Sequence, residues 1–191
     1  PTAAAICFGG LTAKSFLDRA RTKRGERILI IGAGGTVGSA MAQLALKAGL
    51  IVTAQTSAAK VGRLPHHQAM RIIARDQTDF RTLGESWDII ADTVGASSFA
   101  ECLPLLAPGG RYLAVAADLR QMLARGRDGR RVIAGPSSST PADLARLAEL
   151  AHTGAFNPPI DTVLPFAELP AAHAIVDGGR KCGSVVVRLA D

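Results

Sequence analysis

The sequence predicts an α/β protein with a doubly wound, six-stranded parallel sheet. From residue 26 onward, short apolar runs alternate with segments of helical periodicity, which is the pattern of a parallel sheet covered by helices on both faces. Hydrophobic residues make up 48% of the 191 residues, and 20 residues are glycine. Buried parallel strands need such apolar runs, and their tight connections need glycine. A chain of this length is expected to form one core with a short appendage.

The elements follow from the chain in order. A lead-in helix is predicted over Thr2–Ala20, followed by a basic turn over Arg19–Arg27. The six predicted strands are Arg27–Ile31, Ile51–Ala54, Arg71–Ile73, Asp88–Ala91, Tyr112–Ala116 and Arg131–Ala134. Apolar residues recur at helical spacing over Val37–Ala48, Ser97–Leu106 and Asp143–His152.

Two local signals set helix boundaries. Thr140 is a natural N-cap, with Pro141 in the first helical position and Asp143 placed to bond back to the cap, so the last of these helices should begin here. By contrast, Gly62 and Pro65 interrupt the segment over residues 58–70, because proline lacks a backbone donor and clashes with the preceding turn. A short or broken helix is predicted there.

The chain is expected to divide into three parts. Residues 1–25 form a lead-in helix and linker, residues 26–152 the domain that contains the six strands, and residues 153–191 a tail after the break at Asn157-Pro158-Pro159. Within the tail the pattern predicts a strand over Ile160–Leu164, a helix over Ala167–Val176 and a strand over Ser184–Leu189.

Composition excludes several classes of protein. No apolar stretch reaches the roughly 18 residues of a membrane span, and the first ten residues lack the layout of a signal peptide, so a cytoplasmic protein is expected. Cys7, Cys102 and Cys182 are too widely spaced for a disulfide framework or a zinc knuckle and are expected to be reduced. The net charge of +6 suits a phosphate-bearing ligand, a nucleic acid or simply a well-solvated surface, and decides little alone.

The strongest chemical signal is the run ILIIGAGGTVG over residues 28–38, where an apolar strand passes through glycines directly into a helix. Glycine permits the tight turn and the approach of backbone N–H groups, and the N-terminal end of a helix favours an anion. The glycines are spaced Gly-x-x-Gly-x-x-Gly from Gly32, which differs from the plain G-x-G-x-x-G fingerprint, and an ordinary tight turn is the alternative. We predict a Rossmann-type fold whose cofactor-binding loop contains Gly32, Gly34, Gly35, Thr36, Val37 and Gly38.

The end of the second strand decides between two cofactors. An NAD(H) site normally has an acidic residue there, which binds the 2′-hydroxyl of the ribose. No Asp or Glu occurs over residues 27–75, and Thr56 and Ser57 follow the strand instead. Lys60 and Arg63 come one turn later, and such cations suit a 2′-phosphate unless they only solvate a surface helix. The sequence therefore predicts NADP(H), with Thr56, Ser57 and Lys60 in the site.

With these residues in place, the chain resembles the medium-chain dehydrogenase/reductase superfamily, specifically its zinc-independent, quinone-oxidoreductase-like branch. The matching segments are Ala3–Ala13, Gly32–Gly38, Asp92–Gly95, Leu106–Tyr112 and Gly183–Val187. The resemblance implies that Thr93, Val94 and Ala116 line the ribose and ring of the nicotinamide, although small residues here also suit tight sheet packing. In the zinc-dependent members a metal ligand stands where this chain has Phe8, so no metal site is expected.

The resemblance also implies a reaction. The chain is expected to be the cofactor-binding domain of an NADPH-dependent quinone, enone or carbonyl reductase that passes hydride to a small-molecule electron acceptor. It would be a piece of a longer polypeptide, and its tail would return to an absent, N-terminal, GroES-like catalytic domain, so no catalytic residue is assigned. The enoyl-reductase module of a polyketide or fatty-acid synthase and a non-catalytic dinucleotide-binding module remain alternatives, and a homodimer is left open.

Other polar features receive structural interpretations. His66, His67, His152 and His173 have no paired carboxylate or nucleophile nearby in the sequence. The run Arg125–Arg131 is strongly basic, but aromatic residues make up only 4% of the chain and none interrupts this run, so nucleic acid is not an expected partner.

Overall fold

A computed structural model describes residues 1–64 and 67–189 of the chain. Pro65 and His66, part of the predicted broken segment, lie outside the described residues. The main sheet has six parallel strands in the order β3-β2-β1-β4-β5-β6, which confirms the predicted doubly wound sheet. The strands are β1 (Arg27–Ile31), β2 (Ile51–Thr56), β3 (Met70–Ala74), β4 (Trp87–Asp92), β5 (Leu106–Ala114) and β6 (Arg131–Ile133).

Helices connect these strands on both faces of the sheet. The α-helices are α1 (Thr2–Ala5), α2 (Leu11–Ala20), α3 (Thr36–Lys47), α4 (Ala58–Val61), α5 (Phe99–Cys102), α6 (Leu119–Met122), α7 (Pro141–His152) and α8 (Leu169–Asp177). A π-helical turn (Ile6–Gly10) joins α1 to α2, and 3₁₀ turns occur at Phe80–Thr82, Leu103–Leu105 and Phe166–Glu168. Within the described part of the chain, no helix has the length and apolar character needed to cross a bilayer.

The predicted start of the last long helix is confirmed. The hydroxyl of Thr140 accepts a hydrogen bond from the backbone N–H of Asp143 at 3.2 Å, and the Asp143 carboxylate accepts one from the Thr140 N–H at 2.9 Å. Pro141 is the first residue of α7, where its missing N–H costs nothing because no carbonyl partner exists there.

Two predicted elements differ from the structure, and one observed element was not predicted. The helix expected over Ser97–Leu106 is only one turn of α-helix, because a capping box starts it at Ser98 and Pro104 cannot donate a helical hydrogen bond, so the chain tightens into a 3₁₀ turn. Strand β5 begins at Leu106 and ends at Ala114, which leaves Ala116 in the following turn. The single turn α6 was not predicted.

The hydrophobic core lies on both faces of the sheet. Ile28 and Ile30 of β1 face α2 and α3, where Phe16 and Met41 are buried against them. The alternate residues of β1 face the opposite side, where Trp87 and Tyr112 are fully buried. Burial on both faces explains why β1 is continuously apolar rather than alternating in polarity.

The tail forms a second, two-stranded parallel sheet of β7 (Ile160–Pro165) and β8 (Ser184–Arg188), with α8 between them. Gly183, just before β8, pairs with Gly35 of the loop after β1, and its N–H donates to the carbonyl of Gly34 at 3.0 Å. Gly183 has φ of +85°, and a Cβ there would lie 2.1 Å from the carbonyl oxygen of Pro159. The tail is therefore closely fitted to the loop between β1 and α3.

Candidate functional site

The loop between β1 and α3 is held by close backbone contacts. Gly32 has φ of +86°, and its N–H donates to the carbonyl of Gln55 in β2 at 3.1 Å. A Cβ on Gly38 would lie 2.3 Å from the carbonyl oxygen of Gly32, so only glycine lets α3 approach the loop this closely. The first-turn N–H groups of Thr36 and Val37 have no carbonyl partner within a helix, and this end of α3 therefore favours an anion.

A cleft of about 500 Å³ opens beside this loop, at the carboxyl ends of the strands. Strand order reverses between β1 and β4, and dinucleotides bind at such a switch point. The cleft is lined by seven of the predicted cofactor residues: Gly32, Gly34, Gly35, Thr56, Ser57, Lys60 and Val94. It is also lined by residues that were not predicted: Ile31, Gln55, Ala59, Arg75, Ala96, Gly179, Arg180 and Lys181.

The other five predicted residues lie at or beyond the edge of the cleft. The Thr36 hydroxyl donates to the carbonyl of Gly183 at 2.8 Å, and the Thr93 hydroxyl donates to the carbonyl of Ile31 at 2.8 Å. Val37 is partly buried against the core, and Gly38 packs on the underside of the loop. Ala116 is exposed in the turn after β5 and does not line the cleft.

Positive charge dominates the cleft. Lys60 donates to the carbonyl of Gly179 at 3.0 Å, and Lys181 donates to the Thr36 hydroxyl at 2.9 Å and to the carbonyl of Gly183 at 2.8 Å. Burial and then the nearby charge of Lys60 lower the pKa of Lys181 below its usual value. Among the described residues that line the cleft, none carries a carboxylate. Two ammonium groups close together in a cleft whose described lining has no carboxylate favour an anion there.

Two basic residues of the cleft, Arg75 and Lys181, were not predicted, for different reasons. Arg75 follows β3, which lies beside β2, so its place at the end of a neighbouring strand was a usable signal. Lys181 is remote in sequence, since it lies 145 positions after Thr36, and only the folding of the tail brings it to the loop. No local pattern could have indicated that contact.

The loop after β4 is organised by one buried carboxylate. Asp92 is 1% exposed, and one of its oxygens accepts hydrogen bonds from the N–H groups of Val94 at 3.0 Å and Gly95 at 2.8 Å. Its other oxygen accepts bonds from the N–H of Ser97 at 2.7 Å and from the Ser97 hydroxyl at 2.9 Å. This residue fixes the loop that carries Val94 into the cleft.

The described residues do not fit a zinc ion. Over residues 1–64 and 67–189, no group of three or more histidine, cysteine, aspartate or glutamate side chains could hold a metal. Cys7 is exposed beside Phe8, and its thiol donates to the carbonyl of Ala3 at 3.3 Å. Cys102 is buried on the other face of the sheet, where burial raises the pKa of its thiol to about 11.

Comparison with known proteins gives the family. Residues 67–187 match the family described as zinc-binding dehydrogenase. The chain belongs to that family. The fold of this zinc-binding dehydrogenase domain is also that of the quinone oxidoreductase from Coxiella burnetii, with a TM-score of 0.84 at 23% identity, over 98% of this chain and 60% of the other. These matches confirm the resemblance to the medium-chain dehydrogenase/reductase superfamily.

Two curated relatives cover nearly the whole dehydrogenase domain. Acryloyl-coenzyme A reductase from Metallosphaera sedula is 25% identical over 186 residues, which are 95% of this chain and 56% of that protein. The highly reducing polyketide synthase cm3B from Cordyceps militaris is 25% identical over 201 residues, covering 92% of this chain and 8% of the synthase. The chain thus spans little more than half of the reductase and a small part of the synthase.

Proposed function

We propose that this chain is the cofactor-binding part of an NADP(H)-dependent oxidoreductase that transfers hydride to an electron-poor carbon–carbon double bond or a carbonyl. The observation that carries the proposal is the cleft at the switch point, where a glycine loop, the N-terminal end of α3 and four basic side chains meet without an acid. Each part suits a different group of the dinucleotide.

The diphosphate would lie against the first turn of α3. There the N–H groups of Thr36 and Val37 would donate to it, and the ammonium group of Lys181 lies 2.9 Å from the Thr36 hydroxyl, close enough to add a charge-assisted contact. Gly34 lets the end of β2 lie close against this loop, because a Cβ there would lie 2.5 Å from the Thr56 hydroxyl.

The 2′-phosphate of NADP(H) would occupy the end of the cleft between β2 and β3. Thr56 ends β2, and Ser57 and Lys60 follow it, while Arg75 extends from the end of β3 into the same cleft. An NAD(H) site would need an acid at the end of β2 to accept a bond from the free hydroxyl, and that acid would repel a phosphate. The basic cleft therefore favours the phosphorylated cofactor.

The cofactor supplies the hydride, and the described residues bind and orient it. Both curated relatives support an acceptor with an activated double bond, because one is a reductase of acryloyl-coenzyme A and the other is a highly reducing polyketide synthase. The second candidate function, an enoyl-reductase module of a synthase, rests on the match to cm3B. Polypeptide beyond this chain would complete the acceptor pocket in either case.

Cofactor titration tests the proposal. The chain is expected to bind NADPH at least about tenfold more tightly than NADH, because charge-assisted hydrogen bonds to the 2′-phosphate contribute roughly 1.5–3 kcal/mol each. Lys60→Ala should weaken NADPH binding by about tenfold or more and leave NADH binding nearly unchanged. Lys47→Ala, at the exposed far end of α3, is the matched control and should change neither affinity. Equal wild-type affinities for the two cofactors would remove the NADP(H) assignment.

Turnover tests the acceptor. In the polypeptide that contains this chain, NADPH oxidation should be faster with acryloyl-coenzyme A than with a quinone, if the double-bond assignment is right. Faster quinone reduction would favour the quinone-oxidoreductase assignment instead. Light scattering on the same preparation tests whether the protein is a homodimer.

A further inference from the structure

We propose that Asp92 is a positioning residue that fixes the nicotinamide half of the bound cofactor. This inference rests on the proposed function, because it concerns how the same cleft holds its second nucleoside. Asp92 ends β4, the first strand beyond the switch point, and does not itself line the cleft.

The Asp92 side chain uses both carboxylate oxygens to shape one loop. The bonds from Val94 and Gly95 converge on one oxygen, and the two bonds from Ser97 converge on the other. Gly95 has φ of +70°, a conformation that the paired N–H bonds hold in place. All four partners are donors, so an ionised carboxylate, which only accepts, satisfies every one of them.

A tyrosine completes the buried network. The Tyr112 hydroxyl lies 3.4 Å from Asp92 and donates to the carbonyl of Ser97 at 2.9 Å. Burial raises the pKa of Tyr112 above its usual value, so the hydroxyl keeps its proton. Tyr112 is fully buried in β5, which ties the loop after β4 to the neighbouring strand of the sheet.

The loop that Asp92 shapes carries residues into the cleft. Val94 and Ala96 line it, and Val94 packs so closely on the loop between β1 and α3 that a Cβ on Gly32 would lie 2.5 Å from its side chain. The backbone carbonyl of Asp92 also accepts from the N–H groups of residues 115 and 116, at 3.0 and 3.3 Å, so it holds the turn after β5 as well. Both segments belong to the half of the sheet formed by β4–β6.

The two halves of a doubly wound sheet bind different nucleosides. In this strand order the half formed by β1–β3 faces the adenosine, and the half formed by β4–β6 faces the nicotinamide nucleoside. A change confined to Asp92 should therefore weaken contacts to the nicotinamide side and leave the adenosine side intact. A residue with a merely structural role would affect both sides equally.

Two ligands separate these outcomes. NADPH contains both nucleosides, whereas 2′-phospho-ADP-ribose lacks the nicotinamide ring. In Asp92→Asn the side chain keeps one acceptor oxygen, and its NH₂ group must face N–H donors, so the loop shifts. We expect the dissociation constant of NADPH to rise about tenfold and that of 2′-phospho-ADP-ribose to change less than about twofold.

Two further variants keep the test decisive if Asp92→Asn does not fold. Ser97→Ala removes one of the bonds to Asp92 and should shift the ratio of the two dissociation constants in the same direction by a smaller factor. Ser98→Ala removes the cap of α5 without touching Asp92 and should leave the ratio unchanged. An equal loss of both ligands in Asp92→Asn or Ser97→Ala, or no loss in either variant, would overturn the role of Asp92. Failure of the wild-type chain to bind either ligand would instead overturn the proposed function, and this inference with it.

Discussion

Replacing Gly38 by alanine should move α3 away from the loop between β1 and α3. The added Cβ would lie 2.3 Å from the carbonyl oxygen of Gly32 and 2.8 Å from the Cα of Ala33, and both are backbone atoms that no side-chain rotation can move. Ordinary van der Waals contact begins near 3.4 Å, so the helix and the loop must move apart by roughly 1 Å.

The size of the effect follows from two opposing terms. Overpacking of this kind costs about 1–3 kcal/mol, while alanine is favoured over glycine in a helix interior by about 1 kcal/mol. The net change in folding stability should therefore be small, about 0–2 kcal/mol. Binding gains nothing from the helix preference, because it depends on the positions of the N–H groups of Thr36 and Val37. A loss of about 1–3 kcal/mol in binding corresponds to a roughly 5- to 150-fold higher dissociation constant for NADPH.

Fluorescence titration with NADPH, together with thermal denaturation, measures both quantities. Gly62→Ala is the matched control, because Gly62 has φ of −70° and a Cβ added there would meet nothing within 4 Å, so affinity and stability should stay near wild type. If Gly38→Ala bound NADPH as tightly as wild type, the close approach of α3 would not determine phosphate binding, and the reasoning would be refuted.

Three other outcomes are expected. Affinity for NADPH should fall as the pH rises through the lowered pKa of Lys181, because only the ammonium form attracts phosphate. Titrations at a series of pH values below the ordinary lysine value of 10.5 should show that Lys181→Arg removes this dependence. The hydrogen bond from Lys14, followed by those from Thr140, lowers the pKa of Asp143 to about 2. The stabilising effect of this carboxylate is therefore present above the unfolded value of 3.8 and is lost as the pH falls toward 2. In urea denaturation at a series of pH values, the free energy of unfolding of Asp143→Asn should depend less on pH in this range than that of the wild type. Trp87 is the only tryptophan in the sequence and is 0% exposed, so its fluorescence emission should shift to longer wavelength on unfolding. Trp87→Ala should lower the free energy of unfolding by about 3–5 kcal/mol, measured by denaturation followed by circular dichroism.

The sequence predicted best those features that depend on neighbouring residues. The apolar run of β1, the glycines that follow it and the cap at Thr140 are local signals, and each indicated its element nearly to the residue. The prediction of a helix over Ser97–Leu106 was wrong, because the spacing of apolar residues takes no account of Pro104. The early start of β5 was missed because Pro108 and the two glycines after it are typical of a turn, whereas here they lie in an irregular strand.

The cleft was predictable only in part, because only some of its lining residues are close to one another in the sequence. Its floor and its β2 side come from one continuous stretch of chain, so Thr56 and Lys60 were identified from spacing. The contribution of Lys181 depends on how the tail returns to the loop, and that is a property of the whole fold. The direction of the Asp92 side chain is equally non-local, since Tyr112 completes its network from another strand.

The pairing of Gly183 with Gly35 has a consequence for biosynthesis. Thr36 and Gly183, which are hydrogen-bonded, are 147 positions apart, so the ribosome makes one side of this contact long before the other. Contacts of such sequence separation form slowly, because a large loop must close first. A nascent chain with its central strands assembled thus still lacks the finished cleft, whose lining is complete only when translation has passed Gly183.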